Sequence, residues 1–200
     1  EDKKDDKIFS EIVTTDDKER AWALLKGHVE GNIFTELEFV EGAYTDFLEG
    51  FINEDRRTLT KLYRTIRNEK EFFKTKRRKE ITGLKKVDTV VAVQAGTWFH
   101  IATNNTSQLI NSLRRILEPC KDHIDNNFNP LPQECTDEIR TLAAKLTYLI
   151  GQEKMLVNTH LDIAAHLKEI SAYKKEVSAA MENHINRMRS EQDSANLNIY

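Results

Sequence analysis

Apolar side chains recur at alternating intervals of three and four residues along most of the chain. The first long run consists of Ile33, Leu37, Val40, Tyr44, Phe47 and Phe51. This spacing places the side chains on one face of a helix that packs lengthwise against others. A short helix is predicted before it, with Asp16 as N-cap and Glu19 three residues later. The charged segment "EDKKDDK" that opens the chain predicts a loosely ordered lead-in.

The same pattern predicts four further helices. Residues 53–55 indicate a turn, after which a long helix carries apolar residues to Leu84, and the next helix follows Asp88. That helix must stop in "DNNFNPLP", because proline cannot continue it. A fourth helix is predicted from about Gln133 to Ile150 and a fifth from Ile163 onward. Since no stop signal follows, we expect the natural chain to continue.

Composition supports an all-α protein. The 200 residues include only 7 Gly and 3 Pro, so turns must be few and the elements long. We predict an elongated helical bundle over residues 31–200, preceded by the lead-in and short helix of residues 1–30. No stretch reaches the roughly 18 apolar residues of a membrane span, so we expect these residues to be soluble. A net charge of −3 argues against a nucleic-acid partner.

Catalytic chemistry is not predicted. The sequence contains no nucleophile–base arrangement, Gly-rich phosphate loop, zinc pattern or pair of Glu-x-x-His motifs. Cys120 and Cys135 have no metal-ligand spacing and are interpreted as two free thiols, with one disulfide as the alternative. Asp162 and His166, four residues apart, are interpreted as a surface pair.

One pair of carboxylates is a weak candidate for a divalent metal. Glu118 and Asp122 lie four residues apart in "EPCKD" and could share a hard cation, to which Asp125 could add an oxygen. The pair lies near a helix end, and no second pair is present for a facing helix. We therefore expect neither a bound metal nor a cofactor.

The segment "TWFHIATNNTSQ" places uncharged polar residues in the middle of a long helix. His100, Asn104, Ser107 and Asn111 recur on one face, and no Asp, Glu, Lys or Arg lies between Thr89 and Asn111. Charge is costly to desolvate, whereas amides and hydroxyls can be buried if they find partners. One interpretation is that these groups face solvent or satisfy each other in a buried polar layer. The other, which the missing charge favours, is that their surroundings are drier than bulk water, as the bundle core, a partner domain or a second copy of the chain could provide.

A second candidate interface is basic. The segment "KTKRRKEITGLKK" contains Lys76, Arg77 and Arg78 near a predicted helix end. Such cations complement the helix dipole and form a solvated surface. They could also contact anionic lipid headgroups or an acidic partner.

Three segments carry a family resemblance: "TWFH", "LRRILEPCKDHIDNNFNPLP" and "KRRKEITGLKKVD". With them, residues from about Leu25 to Tyr200 resemble the cytoplasmic C-terminal region of bacterial sodium–phosphate cotransporter family proteins of Bacteroidetes type. That region is similar to a PhoU domain, a bundle of two three-helix repeats that share long helices. None of these segments is a catalytic motif.

The resemblance implies a function in phosphate transport. It implies a soluble regulatory domain at the cytoplasmic face of the inner membrane, which acts by binding and signalling. Its partner would be an upstream membrane-spanning transport domain of the same protein. The alternative is a free-standing helical adaptor or dimerisation module with no transport role.

Overall fold

The computed structural model describes residues 2–127, 129–158 and 162–191, and all regular structure within these ranges is α-helical. The six helices are α1 (Asp2–Thr14), α2 (Lys18–Ile52), α3 (Arg56–Leu84), α4 (Thr89–Asp125), α5 (Gln133–Asn158) and α6 (Ile163–Glu191). The predicted all-α bundle is therefore confirmed as a fold class. The PhoU-like repeat stays a prediction.

The N-terminal prediction was wrong in two respects. The charged lead-in belongs to α1, because Ile8 and Ile12, one helical turn apart, pack into an apolar cluster with Leu25. The predicted short helix and the next segment are one continuous helix, α2. Its N-cap is Asp17 rather than Asp16, since the Asp17 carboxylate accepts hydrogen bonds from the backbone N–H groups of residues 19 and 20 at 3.0 and 3.1 Å.

The predicted helix starts after residues 55 and 88 are confirmed. Asp55 Oδ1 accepts the backbone N–H of Thr58 at 3.0 Å, and Asp88 Oδ1 accepts that of Val90 at 3.0 Å. Asn127, with a φ of 52°, follows the end of α4 in the left-handed conformation that asparagine tolerates. Helix α5 extends eight residues beyond the predicted end. The predicted apolar residues at 195 and 199 lie outside the described residues.

The chain divides into two compact units. Unit 1 contains the described residues of Glu1–Glu36 and Arg67–Asn111, and unit 2 those of Leu37–Ile66 and Ser112–Tyr200. Helices α2, α3 and α4 each contribute residues to both units. The two units can therefore be compared on the same helices.

Each unit has its own core. The core of unit 1 centres on Ile12, Leu25, Val29, Val87 and Phe99. The core of unit 2 draws on every helix from α2 to α6, and its buried members include Phe47, Phe51, Leu59, Ile66, Leu117, Ile150 and Ala180. The aromatic rings of Phe47 and Phe51 stack with their centroids 6.3 Å apart.

On helix α4, the buried face differs from the row of apolar residues in the sequence. The buried residues follow a spacing of three and four throughout: Ala95, Phe99, Thr103, Thr106, Ile110, Leu113, Leu117, Cys120 and Ile124. Leu109 and Ile116 also belong to the apolar pattern of the sequence. Both are exposed, at 39% and 43%. Thr103 and Thr106 lie on the buried face in place of apolar residues. Their hydroxyls donate hydrogen bonds to the backbone carbonyls of residues 99 and 102.

Candidate functional site

The most unusual surface of unit 1 is the outward side of α4, here termed the α4 outer face. It comprises Val90, Val93, Thr97, Ile101, Asn104 and Gln108, which succeed one another at intervals of three or four residues and are all exposed. Val90, Val93 and Ile101 are 65%, 73% and 56% exposed. Apolar side chains this exposed, on a face without charge, are typical of contact surfaces.

The outward side of α3 in the same unit has the opposite character. Glu71, Lys74 and Arg78 recur there at intervals of three and four, and all are exposed. An ordinary solvated helix face in this protein therefore carries charge. The missing charge on the α4 outer face is specific to that surface.

The four predicted polar residues of α4 lie at or beside this face. His100 and Asn104 are exposed, whereas Ser107 and Asn111 are half-buried. Within unit 1, the bundle core therefore does not provide the dry surroundings expected for His100 and Asn104. A partner domain and a second copy of the chain are the alternatives that stay open as predictions.

The three basic candidates of α3 have different environments. Arg78 is exposed and Arg77 is half-buried. The Lys76 side chain is only 11% exposed, and its Nζ lies 4.4 Å from the Phe72 ring centroid and 3.9 Å from Glu36 Oε1. Lys76 thus points into unit 1 and is not presented to a lipid surface.

Lys76 belongs to a buried polar region between α2 and α3. One part of it is a hydrogen-bonded set formed by His28, Asn32 and Glu80, all buried. Asn32 Nδ2 donates to Glu80 Oε1 at 2.6 Å and lies 3.0 Å from His28 Nε2. With the amide oriented this way, His28 Nε2 accepts the second hydrogen bond, which places the ring proton of a neutral imidazole on Nδ1.

The other part is a carboxyl cluster, which we define as Glu36, Glu69 and Lys76. Glu36 is 0% exposed, and its two oxygens make no hydrogen bond of normal geometry with a described residue. Burial raises the pKa of Glu36 to about 8, with the negative charge of Glu69 acting in the same direction and the positive charge of Lys76 acting against both. Glu36 is therefore mostly neutral at pH 7.

Of the two weak metal candidates, Glu118 is engaged by other described side chains and Asp122 is not. Glu118 Oε1 accepts a hydrogen bond from the Tyr63 hydroxyl at 3.1 Å and lies 3.6 Å from Arg114 Nε. Asp122 is exposed, and Asp125 pairs with Arg56 and Lys121. Across the described ranges, no group of three or more His, Cys, Asp or Glu residues is placed to hold a metal ion.

The two thiols of unit 2 are free and buried, as predicted. Burial raises the pKa of Cys120 to about 12. Cys135 Sγ lies 3.8 Å from His184 Nδ1, and burial raises its pKa as well. Neither thiol has the lowered pKa of a nucleophilic cysteine.

The predicted surface pair of Asp162 and His166 was wrong. His166 is buried, and its Nε2 lies 2.9 Å from Glu153 Oε1 on α5. Asp162 instead accepts the backbone N–H of Ala165 at 3.1 Å, which makes it the N-cap of α6.

An open depression of about 540 Å³ lies beside the turn between α2 and α3 in unit 2. Its lining includes Asp46, Glu49, Asp55, Thr58 and Lys61. Hydrogen bonds from the Thr58 side chain and backbone lower the pKa of Asp55. This carboxylate is committed to capping α3.

Comparisons with known proteins do not assign the chain to a family. No family model, no curated protein and no solved structure matches the chain. None of the helices in the described ranges has an apolar stretch long enough to traverse a bilayer.

Sequence reasoning missed the buried carboxyl cluster, although a signal was present. His28, Asn32 and Glu36 follow one another at intervals of four residues, among the apolar positions of α2. The equivalent clue on α3 is Glu80, which lies one turn after Lys76. A sequence alone does not show which neighbouring helix these residues face.

Proposed function

We propose that this chain is a non-catalytic helical module that acts by binding another protein through the α4 outer face. The observation that carries the proposal is the exposure of Val90, Val93 and Ile101 on a face without charge. Leaving such a surface in water forgoes the free energy gained by burying it, about 25 cal/mol per Å² of apolar area. A partner that covers the face would recover that energy.

The composition of this face favours a particular kind of partner. Because it carries neither sign of charge, it offers no electrostatic attraction to anionic lipid headgroups or to an acidic or basic protein. Thr97, Asn104 and Gln108 can each donate and accept hydrogen bonds. A protein surface of mixed apolar and uncharged polar side chains complements both properties.

For the identity of the partner, we propose the membrane-spanning transport domain of the same natural protein. On this proposal, the chain is the cytoplasmic regulatory domain of a sodium-dependent phosphate transporter. The support is the sequence resemblance of the three segments given above, of which "TWFH" lies on α4 and "LRRILEPCKDHIDNNFNPLP" begins on it. The alternative is a dimerisation module, in which a second copy of the chain covers the same face.

The first test is the upstream reading frame of the natural gene. Several apolar segments of about 20 residues there would support the transporter, and their absence would favour the dimerisation module. If they are present, a photo-crosslinking residue at position 101 of the full-length protein in its membrane should attach to the transport domain. The matched control is position 167 on α6, where Leu167 is 57% exposed.

A second test disrupts the contact. Ile101→Lys places a charge on the face without disturbing the core, and we expect it to change phosphate uptake by cells that carry the full-length protein. Leu167→Lys makes the same chemical change at an equally exposed position and should leave uptake unaltered. Equal effects of the two variants, or crosslinking from both positions, would contradict the assignment of the α4 outer face.

Sedimentation of the 200-residue chain and of its Ile101→Lys variant tests the alternative in which a second copy of the chain covers this face.

A further inference from the structure

Glu36 is an unusual group because a fully buried carboxyl normally has hydrogen-bond partners. It lies on α2 in unit 1 with no exposed area, and neither oxygen has a hydrogen bond of normal geometry to a described residue. The nearest cation, Lys76 Nζ, is 3.9 Å away, which is beyond hydrogen-bond distance. An ionised carboxylate in this position would be poorly compensated.

The charged groups around Glu36 come mainly from α3. Glu69 and Lys76 are the groups whose charges act on it. On α2 itself, the nearest polar side chain on the same face is Asn32, which hydrogen-bonds to Glu80. At Glu36, the negative charge of Glu69 and the positive charge of Lys76 therefore act in opposite directions.

Among the described residues, the groups whose charges act on Glu36 lie on α3 and not on α1 or α4. The only titratable side chain of α4 between residues 89 and 113 is His100, which is exposed. On α1, Glu11 is paired with Arg20. The protonation of Glu36 is therefore governed by burial, Glu69 and Lys76.

We propose that Glu36 is a proton-binding site that couples the packing of α2 against α3 in unit 1 to pH. With the proton bound, the carboxyl is neutral and tolerates its buried position. When the proton leaves to solvent, Glu36 becomes an anion, and Lys76 is the cation nearest to it among the described residues. We infer that Lys76 then leaves the Phe72 ring and closes on Glu36. This inference does not depend on the proposed function.

Release of the proton falls in a pH range where few other groups of the protein titrate. The pKa of Glu36 is about 8, whereas an unperturbed histidine titrates near pH 6.5. Burial raises the pKa of both thiols, so Cys120 and Cys135 ionise above this range. The terminal amine has a usual pKa of about 7.7–8.0 and titrates in the same range. A control must therefore distinguish its titration from that of Glu36.

The experiment is a pH titration of the whole 200-residue chain between pH 5 and 10, with ¹³C NMR of the glutamate carboxyl groups. We expect one carboxyl resonance to titrate about three pH units above the others, and this resonance should be missing from Glu36→Gln. The Phe72 ring resonances, assigned with Phe72→Leu, should shift with the same midpoint. Glu38→Gln, an exposed change on the same helix, should leave the late titration intact.

Two further variants test the groups around Glu36. Lys76→Met removes the cation that favours the anion, so the midpoint should move to higher pH. Glu69→Gln removes the competing negative charge, so the midpoint should move to lower pH. These opposite shifts separate titration of Glu36 from that of the terminal amine.

Several outcomes would overturn the inference. The first is that all glutamate carboxyls of the wild-type chain titrate below about pH 6, a result that does not depend on any variant folding. The second is persistence of the late titration in a folded Glu36→Gln protein. If Glu36 titrates late while the Phe72 resonances stay unchanged, the coupling to packing is wrong.

Discussion

Helices α2 and α3 pack differently in the two units. In unit 1 the residues that they bury include His28, Asn32, Glu36 and Glu80. In unit 2 the same two helices bury Phe47, Phe51, Leu59, Leu62 and Ile66. One pair of helices therefore adds a buried polar region to the apolar core of unit 1, whereas in unit 2 it buries apolar side chains.

The difference shows that the two units depend on different physical variables. An apolar core is stabilised by burial and close packing, which change little with pH. A buried polar region is stabilised only while each group has a partner or is neutral. The part of α2 and α3 in unit 1 should therefore respond to pH and to lost hydrogen bonds, whereas the part of the same two helices in unit 2 should respond to changes of side-chain volume.

The largest effect is expected for Leu59→Ala in unit 2. Leu59 is completely buried, so truncation should lower the free energy of unfolding by about 2–5 kcal/mol through lost transfer energy and a residual cavity. Urea unfolding at pH 6 and pH 9 should give the same loss at both pH values. Leu167→Ala on α6 removes the same atoms from an exposed side chain and should change stability by less than about 0.5 kcal/mol. A loss that depended strongly on pH would break the distinction between the units.

The next effect is the pH dependence of wild-type stability. The pKa of Glu36 is raised from 4.5 to about 8 in the folded protein, so its contribution is fully favourable below pH 4.5 and is lost as pH rises through 8. Between pH 6 and pH 9 the free energy of unfolding should fall by about 2–3 kcal/mol, since each pKa unit is worth about 1.4 kcal/mol.

Urea unfolding of the wild-type chain and Glu36→Gln at both pH values measures this loss. The variant keeps the shape of the side chain but cannot ionise, so its stability should fall less between the two pH values. Equal slopes for the two proteins would show that another group dominates the pH dependence.

A smaller effect is expected for Asn32→Leu in unit 1. The substitution removes the amide that donates to Glu80 Oε1 at 2.6 Å, and leaves a buried acceptor without that donor. We expect a loss of about 1–3 kcal/mol in the free energy of unfolding at pH 6. The matched control is Asn104→Leu, because Asn104 is exposed on the α4 outer face and should tolerate the change within about 0.5 kcal/mol. If the two variants lost equal free energy of unfolding, the α4 outer face would have to be covered in solution.

The smallest effect is expected in local hydrogen exchange, which should change with pH in unit 1 and stay unchanged in unit 2. Helix α3 offers an internal comparison, since residues 56–66 belong to unit 2 and residues 67–84 to unit 1. Hydrogen exchange followed by mass spectrometry, corrected for the intrinsic rate, should show faster opening of residues 67–84 at pH 9 than at pH 6. Residues 56–66 should keep their protection. Loss of protection in both segments would indicate a single cooperative unit.

Much of the fold could be predicted because local signals decide it. Asp55 and Asp88 cap helices through side-chain oxygens that reach backbone groups two or three residues away, so the sequence alone specifies those starts. The free thiols also followed from cysteine spacing. The N-terminal helix could not be predicted in this way. Ile8 and Ile12 indicate a helix only when the cluster around Leu25 is present to bury them.

The candidate site could be predicted only in part. The absence of charge between Thr89 and Asn111 was evident from the sequence, and the structure places the exposed part of that segment on one continuous face. The inward direction of Lys76 and the burial of Glu36 were not evident. Both residues satisfy the usual pattern of a charged, solvent-facing helix surface.

The sequence by itself determined the helical class, most of the helix boundaries and the uncharged character of one segment of α4. These properties depend on contacts between residues no more than four positions apart. Only the tertiary structure decided which polar residues lie inside. Thr103 is buried while Asn104 is exposed, and Glu36 is buried while Glu38 is exposed. The physical reason is that burial depends on which face of each helix meets a neighbour, and this is settled by the packing of segments far apart in the chain.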